Sequence, residues 1–193
     1  MVRSTGPKKI NCSVFISGTG TNLKSLIKFS HKKNSPISIK LIISDNLNAK
    51  GLKYGKIFKI SNKVFNYKNK LIAEKKIISE IINKKIELIC LAGFMKILSK
   101  SFIKKFKGKI LNIHPSLLPK YKGLNTHQRA ISNGEKYSGC TVHFVNSRLD
   151  SGKIILQKKV KIIKGETTKS LAKKVLIQEH KLYPKAIKKV FSL

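Results

Sequence analysis

Acidic residues are scarce in this chain: 8 Asp and Glu stand against 42 Lys and Arg in 193 residues. Any carboxylate that falls beside other reactive groups therefore carries weight. Arginine is nearly absent too, confined to Arg3, Arg129 and Arg148, so the formal charge of +34 is almost wholly lysine. Those lysines run along the whole chain instead of gathering in a block, and they lack the aromatic interleaving with which single-stranded nucleic acid is stacked. Lys, Ile and Asn rise together, as codon usage in an AT-rich genome produces, so a specific nucleic-acid partner is not expected. A field of this sign attracts anionic small substrates. Cys12, Cys90 and Cys140 are odd in number and widely spaced, which leaves neither a disulfide framework nor a CxxC metal site and fits a reducing cytoplasm. No run approaches the roughly 18 apolar residues of a membrane span, so no membrane partner is expected.

What is present alternates. Asn11–Ile16 is a short apolar run with strand character, closed at once by Ser17-Gly18-Thr19-Gly20-Thr21-Asn22. Helical spacing follows through Leu23, Leu26 and Ile27 to about His31. A glycine loop between a strand and a helix N-terminus suits a phosphate, because free N–H groups and the positive end of the helix dipole meet there. The third glycine of GxGxxG is Leu23 here, and a plain tight turn also satisfies the pattern. Residues 37–43 read as a strand, 49–57 as a short helix, 58–65 as a region with a brief edge strand, and 67–84 as a helix with Leu71, Ile78, Ile81 and Ile82 on one side. The continuous apolar run 86–92 reads as a strand buried on both faces. Strands alternating with helices give an α/β sheet of mostly parallel strands.

After a short apolar end at Ile110 and Leu111 come Asn112 and His114. Two residues apart on an extended backbone, they face the same side. Pro115 and Pro119 then exclude helix and strand and leave a stiff loop. Residues 126–133 read as a short helix. Residues 139–145 and 154–163 alternate as half-buried strands joined by the polar loop 146–152, an antiparallel addition to the sheet. A last helix begins near Thr167, with Leu171, Val175, Leu182 and Ala186 buried, and Glu179 beside that stripe is a candidate ligand-binding acid. Residues 1–9 form a basic tail and 10–193 one domain.

Ligands of open α/β sheets bind beyond the carboxyl ends of the strands. Those ends are Gly18–Asn22, Gly93–Leu98 and Asn112–His114. Gly93–Leu98 is apolar, so Met95, Ile97 and Leu98 either line a slot for a flat ligand or belong to the core. Asp150, in the polar loop, either serves a local turn or folds over the strand end to orient His114 and stabilise its protonated form. Asn, His and Asp with no Ser or Cys nucleophile suit direct acyl transfer through a tetrahedral intermediate.

Six stretches, ISGTGTNL, LAGFMKIL, LNIHPSLLPKYKGL, TVHFVNSRLDSG, ILQKKV and QEHKLYP, carry a resemblance to the phosphoribosylglycinamide formyltransferases, folate-dependent enzymes of purine synthesis. It extends from Ile10 to Val190. The resemblance implies a Rossmann-like formyltransferase fold and transfer of a formyl group from the cosubstrate 10-formyltetrahydrofolate to glycinamide ribonucleotide, without a metal. It implies Asn112, His114 and Asp150 as the catalytic trio and Gly20, Thr21, Asn22 and Glu179 as nucleotide contacts. Folate contacts would come from Met95, Lys96, Ile97, Leu98 and Asn112, with Lys70 aligned loosely to a folate-contacting Arg. Lys96 stands where the family pattern has Arg, Thr21 where it has Ser, and Leu176 where it is often polar. A cis Leu118–Pro119 bond is also implied. The partners are small molecules, and the protein is a monomer or homodimer. The other readings are a different 10-formyltetrahydrofolate enzyme, such as a hydrolase, and a basic RNA-binding module.

Overall fold

The computed structural model describes residues 9–191. Most of the expected basic tail lies outside that range. Lys9, its one described member, donates its ammonium to the carbonyls of Ser30 and Lys32 at 3.0 and 3.3 Å. The elements are β1 (Ile10–Ile16), α1 (Thr21–Ser30), β2 (Ile37–Ser44), a 3₁₀ turn (Lys50–Leu52), α2 (Lys53–Ile57), β3 (Ser61–Val64), α3 (Lys70–Asn83) and β4 (Leu88–Leu91). They continue with α4 (Lys100–Lys105), β5 (Lys109–His114), α5 (Thr126–Ser132), β6 (Tyr137–Phe144), β7 (Ile154–Lys161) and α6 (Thr168–Val190).

The strands make one seven-stranded sheet in the order β3-β2-β1-β4-β5-β6-β7. The first five are parallel, and β6 and β7 add antiparallel to β5. This is the mostly parallel α/β sheet with an antiparallel C-terminal addition that the strand and helix alternation predicts.

Alternation along each central strand loads both faces of the sheet. Cys12, Val14 and Ile16 of β1 pack with Leu23 and Leu26 of α1 and with Leu171, Val175 and Tyr183 of α6. Phe15, between them in sequence, points to the other side and packs with Ile77 and Ile81 of α3 and Phe102 of α4. The fully buried Tyr183 hydroxyl lies 3.1 and 3.0 Å from the carbonyls of Leu91 and Leu111. That contact ties α6 to the carboxyl ends of β4 and to the strand that carries Asn112.

Two expectations need correction. The helix expected over 67–84 begins at Lys70, because the Asn69 side chain caps it by accepting from the Ile72 N–H. Its buried face is Ala73, Glu74, Ile77 and Ile81, whereas Leu71 and Ile82 are 71 and 67% exposed. The stripe is rotated by Glu74, whose carboxylate turns inward to accept from the Ser99 N–H (2.8 Å) and the Ser99 hydroxyl. Ser99 in turn caps α4 through the Phe102 N–H. With six residues, that helix is too short to show a period in sequence.

Candidate active site

The site starts from β5. Asn112 and His114 project to one side of this strand at its carboxyl end, and β6 lies antiparallel beside it with Asn112 opposite His143 and His114 opposite Thr141. Pairing therefore brings a second histidine to the cluster. The loop after β6 returns Asp150, in the left-handed region at φ 44, a conformation that Asp tolerates better than most residues.

Asp150 is the hub. Its Oδ2 accepts from the Gly123 N–H at 2.9 Å and faces His114 Nδ1 at 3.3 Å. Its Oδ1 accepts from Asn112 Nδ2 at 3.4 Å and lies 3.6 Å from His143 Nε2. The side chains of His114 and Asp150 are each 7% exposed, so these contacts act with little screening.

The tautomers follow from the partners. His143 Nδ1 meets the Phe144 carbonyl at 2.8 Å, so it must carry hydrogen. In the neutral ring Nε2 is then an acceptor, and Asn112 Nδ2 donates to it at 3.2 Å. Asn112 thus has its amino group toward Asp150 and His143. His114 Nε2 meets the Tyr121 carbonyl at 2.9 Å and must likewise carry hydrogen. The lone pair of neutral His114 is left on Nδ1, opposite the carboxylate. That contact becomes a strong hydrogen bond only when a second proton arrives.

Burial pushes His114 down, and it outweighs the upward push of the Tyr121 carbonyl and Asp150, leaving the imidazole below its ordinary value. Asp150 does favour the protonated form of His114, as expected, but desolvation of the ring outweighs it. For Asp150 itself burial pushes upward. A bond from His143, which that ring can give only when Nε2 also carries hydrogen, the Gly123 N–H and the His114 ring together outweigh it and keep the carboxyl below its ordinary value.

A cavity of about 920 Å³ opens on this cluster. Asn112, His114, His143 and Asp150 line it, together with Gly93–Leu98 after β4, the loop 145–150, and Asn22 and Glu179. Glu179 is buried on α6 and accepts from Asn22 Nδ2 at 2.6 Å; burial pushes its carboxyl up against that bond. The other side-chain atom of Asn22, Oδ1, is buried with no hydrogen-bond partner. Gly20 and Thr21 are not among the lining residues. Gly20 precedes α1 at φ 72 and packs so close to Gly51 that an added Cβ would sit 2.7 Å from Gly51 Cα. The helix it introduces has no side-chain cap, which leaves its first N–H groups without one.

In the slot segment Met95 and Ile97 are 60 and 61% exposed along the cavity, whereas Leu98 is buried with the second core cluster. Both readings of this stretch hold, each for part of it. Ser17 anchors the segment, accepting from the Met95 N–H at 2.8 Å and donating to Asp45 at 2.5 Å, and Asp45 pairs with Lys96 at 3.7 Å. Lys70 opens α3 and does not line the cavity. Leu176 does not line it either. The Leu118–Pro119 peptide is cis, as the resemblance implies. Among the described residues no group of three or more His, Cys, Asp and Glu is arranged to hold a metal ion, and no helix is long and apolar enough to cross a membrane. His143 was missing from the sequence-derived cluster. Its signal was available: it is the residue of the GCTVHFV strand that antiparallel pairing sets against Asn112.

A profile of the formyl transferase family matches residues 10–187. The chain belongs to that family. Other formyl transferases are similar along most of its length. A phosphoribosylglycinamide formyltransferase of Haemophilus influenzae is 45% identical over 94% of this chain and 86% of its own. The human trifunctional purine biosynthetic protein adenosine-3 is 43% identical over 96% of this chain, which spans 19% of that relative's length. The crystal structure of phosphoribosylglycinamide formyltransferase from Brucella melitensis superimposes with a TM-score of 0.91 at 41% identity, covering 96% of this chain and 97% of its own.

Proposed function

We propose that this chain transfers the formyl group of 10-formyltetrahydrofolate to the primary amine of glycinamide ribonucleotide, giving formylglycinamide ribonucleotide and tetrahydrofolate. The observation that carries the reading is the Asn112, His114 and Asp150 cluster on the cavity wall, with no Ser or Cys nucleophile in it. It is supported by the names of relatives that match the chain over most of their own length.

The neutral amine attacks the formyl carbon, forming the new C–N bond and an oxyanion. The Asn112 amino group turns toward that oxygen from its contacts of 3.2 and 3.4 Å, which are long enough to be readily redirected. His114, neutral with its lone pair on Nδ1, takes the ammonium proton directly or through water, and the facing Asp150 carboxylate stabilises the imidazolium as it forms. Collapse of the intermediate breaks the bond from the formyl carbon to the folate nitrogen, and the imidazolium returns its proton to that nitrogen. The scheme uses no metal.

Glu179 and Asn22 hold the ribose hydroxyls: a buried carboxylate accepts them and Asn22 Oδ1 gains the donor it lacks. The phosphate lies on Gly20 and Thr21 at the uncapped start of α1. The folate occupies the wall of Met95, Lys96, Ile97 and Leu98, with Lys70 as an outlying cation for its anionic tail. The protein acts in the cytoplasm on small molecules, as a monomer or homodimer. The test follows deformylation of 10-formyltetrahydrofolate with and without glycinamide ribonucleotide. Turnover only with the acceptor supports the reading, and formate release without it would replace the reading with a hydrolase.

A further inference from the structure

Tyr121 has two unrelated sets of contacts. Its backbone carbonyl faces His114 Nε2 at 2.9 Å, and its backbone is left-handed at φ 56, a conformation that a bulky residue keeps only when its surroundings over-determine it. Its side chain turns to the end of α5. The hydroxyl donates to Glu135 at 2.8 Å and accepts from Asn133 Nδ2 at 3.0 Å, and the Arg129 guanidinium sits over the ring at 5.1 Å. Both chain neighbours are tied to the same place, since Lys120 pairs with Glu135 at 2.7 Å and Arg129 donates to the Lys122 carbonyl at 2.7 Å. None of these five side-chain partners and neighbours, residues 120, 122, 129, 133 and 135, lines the cavity.

We infer that Tyr121, Arg129 and Glu135 form a clamp that positions the catalytic histidine, holding the Tyr121 carbonyl against His114 Nε2 so that Nδ1 is reserved for proton exchange. Resting on the formyl-transfer reading, this assigns the three as positioning residues, since none of them needs to touch a substrate. A carbonyl can accept only from a protonated nitrogen, so its placement decides the tautomer. Were the carbonyl to swing away, Nε2–H would lose its partner and the proton could settle on Nδ1 opposite Asp150. The lone pair of the ring would then sit on Nε2, on the Tyr121 side, instead of on Nδ1. The other titratable or charged groups around His114 are Asp150 from the loop, His143 from β6, and His127 and Arg129 from α5.

Two variants test the clamp, Tyr121→Phe and Glu135→Leu, which remove the donor and the acceptor of the hydroxyl contact in turn. Imidazole ¹⁵N shifts of His114 in the free protein report the tautomer without any turnover. The wild-type neutral ring should be protonated on Nε2, and each variant should show a mixture. In turnover, kcat should fall about three- to tenfold, the scale of one lost hydrogen bond, with little change in either KM. The acid limb of the kcat profile should move to lower pH, because a weakened acceptor at Nε2 supports the imidazolium less. An unchanged tautomer and an unmoved limb in both variants would overturn the clamp. Should Tyr121→Phe fail to fold, Glu135→Leu decides alone. Absence of transfer to glycinamide ribonucleotide by the wild type would sink the functional reading, while the ¹⁵N shifts would still judge the clamp.

Discussion

The corner around Asp150 and the walls that would receive the two ligands are built on different plans. At the corner, one carboxylate meets the Gly123 N–H, Asn112, His114 and His143, and both histidines have a backbone carbonyl that fixes a tautomer. Along the walls the reverse holds: Asn22 Oδ1 is buried without a partner, and Met95 and Ile97 expose most of their surface. His114 and Asp150 are aligned before the bond forms, where they cost little reorganisation, and Asn112 has only to turn from two long contacts. Groups that only hold a ligand are left wanting one. Substitutions at the corner should thus act on kcat, and substitutions on the walls on KM.

The largest effects belong to the corner. Asn112→Ala and Asp150→Ala should each lower kcat at least about a hundredfold, the scale of losing one oxyanion donor or its support, with both KM values little changed. A large rise in KM at unchanged kcat would erase the distinction between the two regions. The same corner sets the pH dependence. On the proposed mechanism neutral His114 is the working form, and burial lowers its pKa, so the acid limb of kcat/KM should lie at lower pH than an ordinary histidine gives. A pH profile of kcat/KM checks this.

On the nucleotide wall, Glu179→Gln should raise the KM for glycinamide ribonucleotide about tenfold and spare kcat, consistent with weakening a hydrogen bond to a charged acceptor. On the folate wall, Lys96→Ala and Asp45→Ala should each raise the folate KM about threefold, because the Lys96 end of the pair is nearly half exposed and the pair's main effect is to hold the segment that Ser17 anchors. Lys70→Ala should do less than Lys96→Ala. Steady-state kinetics with each substrate varied in turn separates these outcomes.

The smallest effect concerns stability, and its sign is opposite to that on affinity. Burial raises the folded pKa of Glu179 above 4.5, so the stability linked to its protonated form is present below pH 4.5 and is lost as pH rises through the folded value. Glu179→Gln should therefore melt at a higher temperature than the wild type at pH 7, and the gap should close as pH falls toward 4.5. Thermal melts at the two pH values read it directly. A variant less stable at pH 7 would show that the Asn22 bond outweighs the burial of charge.

Much of this was legible beforehand because the informative residues announce themselves locally. Asn112 and His114 share a strand face by the period of two, and Asp150 is one of few acids in a loop that must return to the sheet. Glu179 stands out as a charge beside an apolar helical stripe. What stayed hidden depends on contacts distant in sequence. His143 reaches Asn112 only through strand pairing, and Tyr121 reaches His114 through a carbonyl, which no side-chain pattern records. Glu74 turned the stripe of α3 because Ser99, 25 residues later, offered it partners. The net direction of the His114 shift is hidden for a related reason: a charge partner can be inferred from spacing, whereas the depth of burial that outweighs it cannot.

The most direct test is a single-turnover measurement on His114→Ala with both substrates saturating and their binding titrated separately. The predicted result is formyl transfer slowed at least about a hundredfold while both ligands bind close to wild-type affinity. Transfer at near wild-type rate would remove His114 from the chemistry and contradict the account.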